Sequence, residues 1–278
     1  MVSIIDFRGH ICALINVFSD IRRHRRLIVV LARRELYEPH AGQMLGRFWA
    51  WGHPLFLLAV YAFVFDMIFR AKVGGSADLP LNYTSYVLSG LVPWMTFQQS
   101  MGRGTSSISS NVSLVKQIVF PVEVLPIRSA LSSMIILGLG CLFILIYNFI
   151  VQGAIFWTYL MIVPLATIQL IAMIGISLTL SATSVFLRDI REFIQLLCII
   201  NIYMMPAVYL PSMVPPEFRL FLYFNPFSYM VWCYQDVLYF GRFEHPLAWL
   251  VFGAGSLLAL AFGYRIFRKL KPMFGNAL

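Results

Sequence analysis

A succession of apolar stretches, each close to the length that crosses a bilayer, constrains this chain more than any other feature. About 30 Å of hydrocarbon takes roughly 20 helical residues. Six stretches approach or exceed that: residues 49–69, 83–103, 125–151, 157–187, 193–210 and 245–267. The second is the least apolar, being rich in Ser, Thr and Gly. Within lipid an open strand would leave backbone groups unpaired, so all six are expected to be helices. Composition agrees. Hydrophobic residues make up 60% of the chain and charged residues only 12%, about half the charged share of an average soluble domain. The expected fold class is therefore an all-α membrane protein of six transmembrane helices.

Orientation is read from Lys and Arg. If both termini are cytoplasmic, 17 of the 21 basic residues lie inside, and only Arg70, Lys72, Arg219 and Arg242 lie outside. The opposite orientation violates the positive-inside rule. The net charge of +9 thus reports topology and gives no ground for nucleic-acid binding. The apolar stretch 11–18 is interrupted by Asn16 and followed by charge, which does not suit a secretory signal.

Two segments are neither spans nor ordinary loops. Residues 27–37, LIVVLARRELY, place apolar residues and Arg33, Arg34 and Glu35 on different faces of one helix, as in a helix lying at the membrane surface. Arg22, Arg23, Arg25 and Arg26 before it can touch anionic lipid headgroups. Residues 211–244 are too apolar for a solvated loop and too broken by Pro211, Pro215, Pro216 and Pro226 for a span. Short re-entrant helices on the outer side, or a small external cap, satisfy both features.

Chemistry-bearing motifs are missing. The sequence holds no GxxxxGK[ST] phosphate loop, no HExxH and no GxSxG. Its four Cys are scattered singly and its five His are isolated. No acidic residue falls mid-span, which argues against a proton- or sodium-driven carrier. Asp66 and Arg70 at the outer end of the first span are spaced for an i,i+4 ion pair. Gly253, Gly255 and Ser256 in the last span, and Gly138 and Gly140 in the third, are candidates for close helix packing.

The order of these segments resembles that of ABC-2 type exporter permeases. Residues 32–69 carry Arg33, Arg34, Gly46, Trp49 and Pro54 where that family has a basic interface helix, a Gly-containing link, and a Trp and Pro opening the first span. Residues 110–133 look like its KxxxFPxExLP segment, matched by Lys116, Phe120, Pro121, Glu123, Leu125 and Pro126. FLRDIREFIQ (186–195) and NPFSYMVWCYQDVLYFG (225–241) resemble its cytoplasmic turn and its external Asn-Pro segment. Tyr37–His40 departs from the basic, aromatic, Gly-containing run usual there.

The resemblance spans about 27–271, leaving a basic segment 1–26 and a tail 272–278. It is strongest to exporters of O-antigen, capsule and teichoic-acid polysaccharides, with permeases for small drugs or lipids as the alternative and a membrane-embedded transferase behind them. It implies a homodimer in the inner membrane with two copies of a separate ATPase. ATP and Mg would be bound by that partner, this chain would hold no cofactor, and a polysaccharide or glycolipid would be the cargo. Arg33, Arg34, Glu35, Lys116, Phe120, Pro121, Glu123, Arg188 and Asp189 would then couple to the ATPase, with Pro121 and Pro126 stiffening a short lever. A sliding polymer suits aromatic faces. Tyr61, Phe65 and Phe69, one face of the first span, together with Trp94, Phe97, Tyr203 and Tyr209, are the expected conduit residues.

Overall fold

The computed structural model describes residues 7–38, 42–69, 81–116 and 120–277, with the side chains of 7–12, 47, 68, 69, 276 and 277 left aside. Among the described residues every regular element is helical. Besides single turns, the helices in chain order are α1 (Phe7–Tyr37), α2 (Trp49–Phe63), α3 (Tyr83–Ser106), α4 (Val124–Gln152), α5 (Ile162–Ser184), α6 (Ile190–Met204), α7 (Arg219–Phe224), α8 (Pro226–Gln235) and α9 (Pro246–Leu270). A π-helical turn, Val64–Phe69, prolongs α2, and another, Asp236–Phe240, prolongs α8. Four segments are long and apolar enough to cross a membrane: Trp49–Met67, Val124–Gln152, Trp157–Ser184 and Pro246–Met273.

α3 falls below that apolarity because of its place in the fold. It runs through the middle of the bundle, against α4, α5, α6 and α8, and most of its side chains are buried. A helix surrounded by protein can carry Ser, Thr and Gly, whose hydroxyls find partners on neighbouring turns and helices. Ser100 and Ser177 hydroxyls meet at 3.2 Å, and Gln169 donates to the carbonyl of Pro93 at 3.0 Å.

The tightest packing is between α5 and α9. A Cβ on Gly263 would stand 2.0 Å from the Gly175 carbonyl oxygen, and one on Gly175 would stand 2.4 Å from the Ala259 carbonyl carbon. Of the small residues singled out in the sequence, Gly140 does pack closely, against Val92, and Ser256 is buried. Gly138, Gly253 and Gly255 have nothing within 4 Å and correct that expectation. They lie on the outward sides of α4 and α9.

Two expected boundaries also shift. The helix expected at 27–37 starts at Phe7 and runs 31 residues. Its buried seam, Ala13, Val17, Ile28, Ala32 and Leu36, keeps one face against α4 and α9. The span expected at 193–210 ends at Met204, because Met205 precedes Pro206 and is extended (φ −123°, ψ 155°). The 15-residue α6 reaches about 22 Å, short of a full crossing. Part of the expected tail packs on the bundle. Phe274 is 1% exposed and packs edge-on to Phe267 at 5.5 Å.

Candidate coupling surface and conduit

Two carboxylates, Glu123 buried and Glu35 partly buried, organise the end of the bundle where α1 lies. Glu35 turns inward from α1 while Arg33 and Arg34 face out, Arg34 meeting Glu38 at 3.1 Å. Ser129 of α4 donates its hydroxyl to one Glu35 oxygen at 2.8 Å. The other oxygen faces Arg128 Nε at 3.1 Å, as opposed charges without the alignment of a hydrogen bond. Burial pushes the Glu35 carboxyl above its ordinary range, and the Ser129 bond and the charges of Arg128 and Arg103 counter this in part.

Glu123 immediately precedes α4 and is 6% exposed. Lys271 Nζ lies 2.6 Å from its carboxylate and Arg268 3.8 Å. These cations come from the end of α9, so the motif residue Glu123 locks the start of α4 to the last long helix. Phe120, Pro121 and Glu123 help line a cleft of about 250 Å³, closed on its other sides by Asp20, His24 and Lys271. Asp20 in turn accepts from the Tyr264 hydroxyl at 2.8 Å, which fastens α1 to α9.

The expected coupling residues therefore divide. Glu35, Phe120, Pro121 and Glu123 are built into joints between helices. Arg33, Arg34, Lys116, Arg188 and Asp189 stand exposed, the last two on the turn between α5 and α6. Among the described residues no side-chain ion pair joins Arg188 or Asp189 to the buried joints. Arg128, Arg268 and Lys271 were legible in the sequence only as topology-setting charges, and their pairing with motif acids was not.

The aromatic residues divide as well. Tyr61 and Phe65 are half-buried, and Phe65 meets the Tyr83 ring edge-on at 6.0 Å. Tyr83 stacks on Tyr86 at 6.2 Å, and Tyr86 meets Tyr239 at 5.3 Å. Tyr203 is 70% exposed on α6, and Tyr209 donates its hydroxyl to the Tyr203 carbonyl at 2.9 Å. Trp94 and Phe97 are a correction. They are 0% and 1% exposed and both pack edge-on to Phe227 at 5.1 Å, so they fill the interior of this chain and present no surface. The Phe69 side chain lies outside the described residues.

At the opposite end Asn225 caps α8, accepting from the Phe227 N–H at 3.0 Å, with Pro226 opening the helix. Its amide donates to Asn201 (2.7 Å) and to the Met204 carbonyl (3.1 Å), so the Asn-Pro pair fixes α8 to the end of α6. Asp236, fully buried, accepts from His245 Nδ1 (2.8 Å), the His245 N–H (3.1 Å) and Trp249 Nε1 (3.1 Å). His245 also stacks on Trp232 at 5.4 Å. The sequence reading took this histidine as isolated. The lone acid in an otherwise apolar run, nine residues before it, was the available signal. Asp66 accepts from Asn82 at 3.4 Å. Arg70, its expected partner, lies outside the described residues.

The arrangement holds buried joints at one end, an aromatic-lined face along α2, and a capped hairpin of short helices at the other end. The model of the family described as ABC-2 type transporter matches residues 26–239. The chain belongs to the ABC-2 type transporter family. It is thereby a multi-pass membrane protein of the transporting, not ATP-hydrolysing, kind. An O-antigen export system permease protein RfbA of Klebsiella pneumoniae is 28% identical over 257 residues, covering 91% of this chain and 95% of the relative. A second from the same organism is 27% identical over 261 residues, with the same coverage. One from Myxococcus xanthus is 24% identical over 267 residues, covering 95% of this ABC-2 permease and 100% of the relative.

Proposed function

We propose that this chain is the membrane-spanning subunit of an ATP-driven exporter that moves a lipid-linked polysaccharide, of O-antigen or capsule type, across the inner membrane. The family and the names of near-full-length relatives support the cargo class over a small drug or lipid. In this reading two copies form the passage, and two separate ATPase subunits bind ATP and Mg and dock on the α1 end. Both termini are cytoplasmic. α2, α3, α4, α5, α6 and α9 are the six crossings, with α7 and α8 dipping into the outer leaflet to complete the short α6.

The observation that carries the coupling role is the double tether of Glu123 to Lys271 and Arg268. A push on the loop ending in Glu123 reaches α4 and α9 together, while Glu35 passes motion of α1 to α4 through Arg128. Exposed Lys116, Arg188 and Asp189 supply contacts for the ATPase. Tyr61 and Phe65, with Tyr203 and Tyr209, offer ring faces on which sugars stack and slide. Trp94 and Phe97 stiffen the wall behind them.

Deleting the gene is expected to abolish surface polymer and leave lipid-linked polymer inside the cell, and wild-type chain supplied in trans is expected to restore export. Glu123→Arg with Lys116→Glu is expected to keep the protein in the membrane but uncouple the partner's ATP turnover from export. Unchanged export and assembly in that variant would remove the coupling role.

A further inference from the structure

A second cleft, of about 270 Å³, opens where α1, the start of α2 and α3 meet. Its walls are apolar, from Trp49, Leu57, Met95 and Ile136, and its polar groups are His53, Gln99 and Arg103. The charges around it do not balance. Two guanidinium groups, Arg103 and Arg128, lie near the single carboxylate Glu35, which accepts from Ser129 through one oxygen and faces Arg128 with the other. Glu38, the other acid near Glu35, is held by Arg34. Among the described residues Arg103 donates one hydrogen bond, to Ser132 at 3.2 Å, leaving most of its guanidinium donors unspent. Gln99 adds a buried side-chain oxygen with no partner. Its amide can turn to present either a donor or an acceptor.

A guanidinium held between apolar walls is costly unless charge or hydrogen bonds meet it, and an anion is the partner that its spare donors suit. Walls that accept hydrocarbon exclude a fully hydrated ion. The geometry points to a binding site for a phosphate-bearing lipid, its phosphate on Arg103 with Gln99 beside it and its chain along Trp49, Leu57 and Met95. A membrane phospholipid and the prenyl-phosphate end of the exported molecule share that chemistry. Only the second source rests on the exporter reading.

The test uses the purified full-length chain in detergent and native mass spectrometry. The probes are undecaprenyl phosphate, dioleoyl-phosphatidylglycerol and their uncharged counterparts, undecaprenol and dioleoylglycerol. The phosphate-bearing lipids are expected to be retained at least about tenfold better than the uncharged ones, the gain of one charge-assisted contact. Arg103→Gln is expected to erase that preference and Arg103→Lys to keep most of it. Met95→Trp, which fills the cleft without touching a charge, is expected to lose binding of both. It decides the matter should Arg103→Gln fail to fold. Tighter retention of undecaprenyl phosphate assigns the site to the exported molecule, and equal or tighter retention of phosphatidylglycerol assigns it to the membrane. Equal retention of charged and uncharged lipids by the wild type, or binding unmoved in Met95→Trp, overturns the proposal. The assay involves neither polymer nor ATPase, so its failure is separate from a failure of the deletion experiment above.

Discussion

The two ends of the bundle hold their buried carboxylates differently. At the α1 end, Glu35 and Glu123 face Arg128, Lys271 and Arg268, long side chains on flexible stems. At the other end, Asp236 is held by an imidazole, a backbone N–H and an indole. Beside it lies a net of neutral groups. Ser85 donates to Asn148 at 2.6 Å, Asn148 donates to the Leu238 carbonyl at 2.9 Å, and Gln152 joins Asn82 and Ser85. Lys and Arg pairs stretch and re-form over several rotamers. Short directional bonds in a buried net tolerate one geometry. One end of this molecule can yield under load while the other keeps its shape.

The sharpest way to break that contrast is at the rigid end. Asp236→Leu leaves three partly buried donors without their acceptor and is expected to cost about 2–3 kcal/mol, read as a large fall in the unfolding temperature in detergent. A fall no larger than that of an exposed substitution would show that this end is not the fixed one. Next come paired substitutions on α9. Gly263→Ala drives a methyl into the Gly175 carbonyl and is expected to cost about 1–3 kcal/mol. Gly253→Ala, with open space around it, is expected to be neutral in the same assay.

At the yielding end, Glu123→Ala leaves cations that are 35% and 56% exposed and can turn to water. Its expected cost is about 1 kcal/mol after discounting for solvent, and Glu123→Lys with Lys271→Glu is expected to recover part of it. Glu35 sharpens the contrast through pH. Its carboxyl is pushed up by burial, so the folded chain takes up that proton before the unfolded chain does. The stabilising contribution of that proton is complete below the ordinary glutamate range and fades as pH rises through the folded value. Acidification toward that range is therefore expected to stabilise the wild type relative to Glu35→Gln. Among the charged groups the smallest effect is expected for Arg34→Ala, whose exposed pair with Glu38 is worth about 0.3–0.5 kcal/mol.

What could be read from the sequence follows the same division. Spans in contact with lipid announce themselves by apolarity, which is why the helices of 49–69, 125–151, 157–187 and 245–267 have close counterparts in the structure. α3 was legible by length and weak by composition, because protein surrounds it. The first half of α1 was missed. Its seam of Ala13 and Val17 is narrow, and Arg22 to Arg26 mask the rhythm to either side. The end of α6 was overrun because Tyr203 to Leu210 remain apolar beyond the turn that Pro206 enforces. Small residues named a packing mode without naming a face, so Gly253 and Gly255 were chosen where Gly175 and Gly263 make the contact. In the candidate site, the acids Glu35 and Glu123 were legible as motif members. Their cations lie far off in the chain or read as topology signals, and pairing across helices leaves no local trace.

The bond between Asp20 and Tyr264 joins residues 244 positions apart. During synthesis α1 therefore emerges long before the helix that completes its seat. Its apolar seam can settle on α4 first, and the seat is complete only when α9 arrives. The clasp can close only after α9 is in place, so a chain that stops short of α9 leaves that side of α1 unfastened.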